Sequence, residues 1–185
     1  YADATKGWIP ISDDDVADIP SKGNENGIFG YGHTGSYTAV TNLVSNVGVV
    51  ATDTSGVGTV RQYLAACEYG GDKGIFGYGD TPTKVSMSNL VSNTGVVATD
   101  VTGVGTARSA LAACEYGGDK GIFGYGYASG YVSVSNLVSN AGVVATDVTG
   151  VGSARNGPAA CEYGDDKGIF GYGTTGSITA VTNLV

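Results

Sequence analysis

The residues that carry most enzyme chemistry are scarce in this chain: one histidine, His33, and three cysteines, Cys67, Cys114 and Cys161. The cysteines stand 47 residues apart and are copies of one position. A disulfide framework takes an even count at varied spacings and a zinc site takes ligands close together, so neither is expected. The residue type suits a small apolar side chain in a strand, with a disulfide between subunits as the alternative. No Ser-His-Asp or Cys-His arrangement recurs, and no glycine-rich phosphate loop runs from a strand into a helix. Asp13, Asp14, Asp15 and Asp18 could offer oxygen ligands to Ca²⁺, but the alternating acidic spacing, its glycine and the following Glu are missing. A solvated acidic turn is expected there. Catalytic residues, metals and cofactors are all expected to be absent.

Other polar and aromatic residues do recur at the same interval. Asn42, Asn89, Asn136 and Asn183 form one column, which would either line a channel or bond loop backbone of a neighbouring unit. Asp53, Asp100 and Asp147 each precede an arginine (Arg61, Arg108, Arg155) by eight residues. That pair reads as bracing between units by ion pair or backbone contact, with a charged ring at one mouth as the alternative. Tyr31, Tyr78, Tyr125 and Tyr172 form another column, and Tyr69, Tyr116 and Tyr163 a further one. Tyrosines on a rim would suit a glycan binder, since the ring stacks on sugars; packing between sheets is the other reading. Glu68, Glu115 and Glu162 recur too, and no asymmetric carboxylate pair of the kind a glycosidase needs stands out.

These columns exist because the sequence repeats. Gly-Ile-Phe-Gly-Tyr-Gly begins at Gly27, Gly74, Gly121 and Gly168, and the similarity between residues 89–126 and 136–173 runs almost throughout. A fixed period of this size signals a stack or ring of equivalent supersecondary units. Counted from the hexapeptide, the full repeats are 27–73, 74–120 and 121–167. Residues 1–26 form a divergent half-unit and 168–185 a second half, all within one domain. Each period holds four candidate strands, in the second repeat Lys73–Gly79, Lys84–Ser92, Gly95–Val101 and Ala110–Gly117. All are rich in β-branched and aromatic residues and are punctuated by Gly, Asn, Asp or Pro. Val85, Met87, Asn89 and Val91 alternate with Lys84, Ser86, Ser88 and Leu90, the strand period of two. Gly70-Gly71-Asp72-Lys73 reads as a tight hairpin, and Asn46, Asn93 and Asn140 as turn residues. With 32 glycines and no apolar run at helical spacing, the expected class is all-β.

Four strands in about 47 residues is the size of a propeller blade. The order of signals resembles the kelch repeat. Arg61 precedes the small-residue strand at Ala65-Ala66, then comes the Gly70-Gly71 turn, then the glycine-ended strand Ile75 to Gly79. The resemblance covers three repeats. It departs in having Gly-Tyr-Gly where a glycine doublet is usual, and in placing the only tryptophan, Trp8, outside them. It implies a β-propeller of about four four-stranded blades; the half-units at either end would close it by pairing as one composite blade, and a fragment of a longer array or open polymerisation is the alternative. The expected function is a non-enzymatic structural or binding scaffold presenting repeat loops to a protein or glycan partner. A phage or bacterial appendage or virion component assembling through its repeats, and a lectin-like glycan binder, are the alternatives.

The loop after each hexapeptide is where the repeats differ: His33-Thr34-Gly35, Asp80-Thr81-Pro82, Tyr127-Ala128-Ser129 and Thr174-Thr175-Gly176. Variable loops on a constant scaffold are where recognition tends to sit, so His33, Asp80, Tyr127 and Thr174 are the expected contacts, with the Tyr31 column beside them. A net charge of −8 argues against nucleic acid, which needs clustered Lys and Arg. No apolar run is long enough to span a bilayer. No basic, apolar leader stands at Tyr1, so a signal peptide is expected to be absent or removed. An extracellular, surface or virion setting is favoured over the cytoplasm, and self-assembly is a further expectation.

Overall fold

The computed structural model describes residues 25–185 and two short strands, β1 (Ala2–Asp3) and β2 (Gly7–Trp8), which pair antiparallel. The acidic cluster Asp13, Asp14, Asp15 and Asp18, and most of the N-terminal half-unit, lie outside the described residues. All regular structure among the described residues is β. The first sheet is the hairpin β3 (Gly27–His33) and β4 (Tyr37–Val44). Three antiparallel meanders follow. The second sheet holds β5 (Ala65–Tyr69), β6 (Lys73–Gly77) and β7 (Ser88–Val91), and the third β8 (Ala112–Tyr116), β9 (Lys120–Gly124) and β10 (Ser135–Val138). The fourth holds β11 (Ala159–Tyr163), β12 (Lys167–Gly171) and β13 (Thr182–Leu184). Each meander thus takes its opening strand from before the hexapeptide, so repeats counted from the hexapeptide cut across the sheets.

The expected four strands are three strands and a looser fourth segment. Residues 97–101 join β7 only at two bridges, Val91 to Val97 and Ser88 to Val101, and the third sheet repeats this at Val144 and Val148. Between those bridges the Asn89 side-chain amide donates to the Ala98 carbonyl at 3.0 Å, adding a side-chain bond to the segment. The glycine-rich strand also stops earlier than expected, at Gly77, because Tyr78 turns to a φ of 63°. Tyr125 and Tyr172 end their strands likewise at 63° and 62°, whereas Tyr31 at 63° only bulges β3, which runs on to His33; non-glycine residues enter this region at a cost. The hairpin at Gly70-Gly71 and the turns at Asn93 and Asn140 form as expected. There Asn93 and Asn140 donate to Asp72 and Asp119 at 3.1 and 3.0 Å, tying turn to hairpin.

The core lies between sheets rather than within one. Meander strands of three to five residues, and a lone two-stranded hairpin, bury too little to stand alone, so each sheet depends on its neighbours. Phe76 packs edge-on against Tyr31 and Phe123 against Tyr78, and Phe170 lies tilted against Tyr125, with ring centroids 5.2, 5.2 and 5.4 Å apart. The incoming ring lies on the glycine beside the tyrosine. A Cβ at Gly77 would stand 2.6 Å from Phe123, so only glycine allows this approach. Alongside, the Cys67 sulfur rests against Gly121 and the Cys114 sulfur against Gly168. Burial pushes both thiols up, Cys114 to about 11, which suits inert packing rather than nucleophilic chemistry. All three cysteines are free.

Gly77→Ala should cost about 1–3 kcal/mol in urea unfolding, the range for overpacking. Gly171→Ala should cost less, because among the described residues its Cβ would meet only a Thr182 methyl at 3.3 Å. Equal losses at the two positions would refute the close-approach argument.

Candidate functional site

Each joint between sheets is built on an arginine. Arg61, Arg108 and Arg155 are 0% exposed, although long cations are almost never fully buried without partners. The Arg61 guanidinium lies over the Tyr31 ring of the preceding sheet, 4.1 Å from its centroid. Arg108 covers Tyr78 at 4.1 Å and Arg155 covers Tyr125 at 3.8 Å. Such contacts contribute about 2 kcal/mol when desolvated. The N–H groups serve the arginine's own sheet and loop. Nε donates to the Tyr78 carbonyl at 2.9 Å, Nη1 to the Thr59 carbonyl at 3.1 Å and Nη2 to Asn89 Oδ1 at 2.7 Å. Burial lowers the pKa of Arg61 and Arg108, and the neighbouring tyrosine and aspartate oppose it; the guanidinium stays charged.

Asn89 passes the network on, its Nδ2 donating to Asp100 Oδ1 at 2.9 Å. Asp100 in turn accepts the Thr59 N–H at 3.1 and 3.0 Å on its two oxygens, and the Thr59 hydroxyl at 2.6 Å. The loop that carries Thr59 comes this close because Gly58 has a φ of 78°, and a Cβ there would stand 2.3 Å from Asp100 Oδ1. Thr106, Asn136 and Asp147 repeat the pattern one period on, with the Thr106 N–H at 3.1 Å from both oxygens. One bond is not repeated: Arg108 Nη2 and Asn136 Oδ1 are each left without a partner. Burial pushes the Asp100 and Asp147 carboxyls up. The threonine hydroxyl, asparagine amide and threonine N–H outweigh it and hold both below the ordinary value.

The expected sites sort cleanly. Asn89 and Asn136 are 0% exposed and bonded within the joint, not aimed into a channel. Asn183 accepts from Arg155 at 2.9 Å, and Asn42 donates to Asp53 at 2.8 Å. The charged partner of Arg61 is therefore Asp100, at 4.0 Å, rather than Asp53 eight residues before it. Tyr31, Tyr78 and Tyr125 are 9%, 1% and 5% exposed and donate their hydroxyls to the Val57, Val104 and Val151 carbonyls, so they pack between sheets instead of forming a rim. Tyr172 alone of that column is open, at 62%. Tyr69 is buried and Tyr163 exposed.

The variable loops gather on one fringe. Gln62, Asp80 and Lys84 form successive bridges, as do Ser109, Tyr127 and Tyr131, and then Asn156, Thr174 and Ile178. Neighbouring fringe loops are bonded to each other: the Ala110 N–H reaches the Tyr63 carbonyl at 2.9 Å, and the Gly157 N–H the Ala110 carbonyl at 2.8 Å. Lys84 crosses to the next loop and sits 4.9 Å over the Tyr127 ring, whose edge-on partner is Tyr131 at 5.7 Å. In the first sheet His33 and Tyr37 make a similar pair at 5.7 Å. Lys84, Tyr131, Tyr37 and Ile178 were not among the expected contacts. Their signal is that each stands four residues after a variable position and varies with it.

A cavity of about 670 Å³ lies between the first and second sheets, walled by Ile28, Val44, Cys67, Ile75 and Phe76 among others. At the corresponding place between the second and third sheets β5 packs on β8 and β9. The residues equivalent to β5 in the first sheet fall at 18–22, outside the described residues, so this space is not read as a ligand site. Among the described residues no three His, Cys, Asp or Glu side chains cluster as for a metal ion, and no helix is long and apolar enough to cross a membrane. No protein-family model and no curated protein matches the chain.

The lowered Asp100 and Asp147 carboxyls fix the sign of an acid effect. Their contribution is complete above the ordinary Asp value of about 3.9 and is lost as pH falls through the lower folded-state values. Asp100→Asn with Asp147→Asn should therefore lower the melting temperature at pH 7 and narrow its gap to wild type below about pH 4. A gap that stays constant with pH would refute the assignment.

Proposed function

We propose that this chain is a non-enzymatic binding scaffold, a rigid stack of small β-sheets whose variable fringe contacts a protein or glycan partner. One observation carries the reading. The residues buried at the joints, Arg61, Phe76 and Asn89 with their equivalents, recur from unit to unit, whereas the residues bridged side by side along one fringe differ. Constant positions hold the scaffold and varied positions face outward, which is how recognition surfaces are built on rigid frames. Within the fringe, Tyr127 and Tyr131 are 38% and 39% exposed and carry Lys84 beside them, the arrangement best suited to a sugar ring. The buried tyrosine column cannot take that role.

For the arrangement of the sheets, an open stack has more support than the closed kelch-like propeller of four blades. Closure would bring Phe29 onto Gly171 and Tyr172, as Phe76, Phe123 and Phe170 meet their partners. Phe29 is 65% exposed and Tyr172 62% exposed, which supports the open stack.

Binding to a glycan array tests the fringe. Tyr127→Ala and Tyr131→Ala should each weaken the captured glycan at least about ten-fold, the loss of one stacked ring at a hot spot, with unchanged melting. Undiminished binding by both variants would move the contact away from the fringe, and no glycan captured by wild type would leave a protein as the partner.

A further inference from the structure

We propose that the outer faces of the first and fourth sheets are two halves of one more joint, and that this joint closes between two copies of the chain, head to tail. This goes beyond the fringe reading and uses a different surface. The joint already occurs three times inside the molecule, each time with a phenylalanine of one sheet seated on the glycine and tyrosine of the preceding one. A Cβ on the receiving glycine would lie 3.0 Å from Phe76 at Gly30, 2.6 Å from Phe123 at Gly77 and 2.9 Å from Phe170 at Gly124. Among the described residues nothing fills the same receiving half on the fourth sheet: a Cβ at Gly171 would meet only Thr182 there, and Tyr172 holds a φ of 62° beside 63° for its buried equivalents. The first sheet presents the inserting half. Phe29 is 65% exposed, against 4%, 0% and 2% for Phe76, Phe123 and Phe170.

The cysteine column marks the register. Inside the molecule the Cys67 and Cys114 sulfurs rest 2.6 and 2.7 Å from where a Cβ would stand on Gly121 and Gly168. Cys161 is exposed on the fourth sheet, and the glycine one period before Gly74, Gly27, is exposed on the first. Docked in the same register, Cys161 of one copy faces Gly27 of the next. Because the two halves differ, the contact is heterologous and each added copy leaves both halves free for another.

The 185-residue chain carrying Gly27→Cys tests this with exposed positions only. A Cβ–S–S arrangement spans roughly 3 Å, so a cysteine at 27 would be within reach of Cys161 in a neighbour. Under oxidised glutathione the variant should give a ladder of multiples of 18.5 kDa on a non-reducing gel, abolished by adding Cys161→Ser and reduced at least ten-fold by adding Phe29→Asp. In parallel, the sedimentation mass of wild type should rise with concentration, and that of Phe29→Asp should stay at one chain. A faster-migrating, internally bridged monomer would mean closure within the chain and overturn the proposal. So would the absence of any cross-link, or a wild-type mass that stays at one chain at every concentration.

Discussion

Everything else in this molecule follows from burying an arginine at each joint. A guanidinium with no access to water needs partners for its charge and its N–H groups, and of the three arginines only Arg108 Nη2 and Arg155 Nε lack one. Here one sheet supplies the π-face of a tyrosine, and the next supplies a carbonyl, an asparagine oxygen and, through that asparagine, an aspartate. No single sheet can satisfy the charge, so the two are fixed in one spacing and one register. The shape of the group matters as much as its charge. A planar fork can stack on a ring through its face and donate through its edge at once, which an ammonium cannot do.

The aromatic and glycine positions set how near the sheets come. Phe123 on Gly77 and Cys67 on Gly121 remove the Cβ layer that would otherwise hold the sheets apart. The left-handed tyrosine is the strained element that makes this possible. It breaks the glycine-rich strand at Gly77 and turns its ring into the gap, where phenylalanine on one side and arginine on the other hold it. Strain of order 1–3 kcal/mol persists only where the surroundings over-determine the conformation, and these surroundings do.

Much of this was legible from the residues alone. The Gly70-Gly71 hairpin and the asparagine turns are local signals, and local structure obeyed them; of the Lys84–Ser92 stretch with its period of two, only Ser88–Val91 forms a strand. The partner of Arg61 was not legible, for a reason peculiar to repeats. Asp53 lies eight residues before it and Asp100 thirty-nine after, and the two separations together make one period. In a repeating sequence a spacing identifies a column but not which copy is met. The fate of the tyrosines was hidden similarly: an amphipathic ring serves a rim or a joint equally well, and only the arginine stacked on it decides. Ring closure depends on how far each sheet rotates from the last, and no residue type records that angle.

One consequence of a joint built each time on the same aromatic, glycine and arginine contacts is that the fold hardly distinguishes its units. Phe76, Phe123 and Phe170 are interchangeable at the level of contact, so the order of the sheets is held by the connecting chain and not by the interfaces. That indifference is what frees the fringe. Asp80, Tyr127 and Thr174 occupy equivalent bridges although one is charged, one aromatic and one a small alcohol, because the bridges are made by backbone and ask nothing of the side chain. A surface can then be rewritten residue by residue without disturbing the buried arginines beneath it. The same indifference has a cost, since a half-joint left open accepts any matching half, whichever molecule offers it.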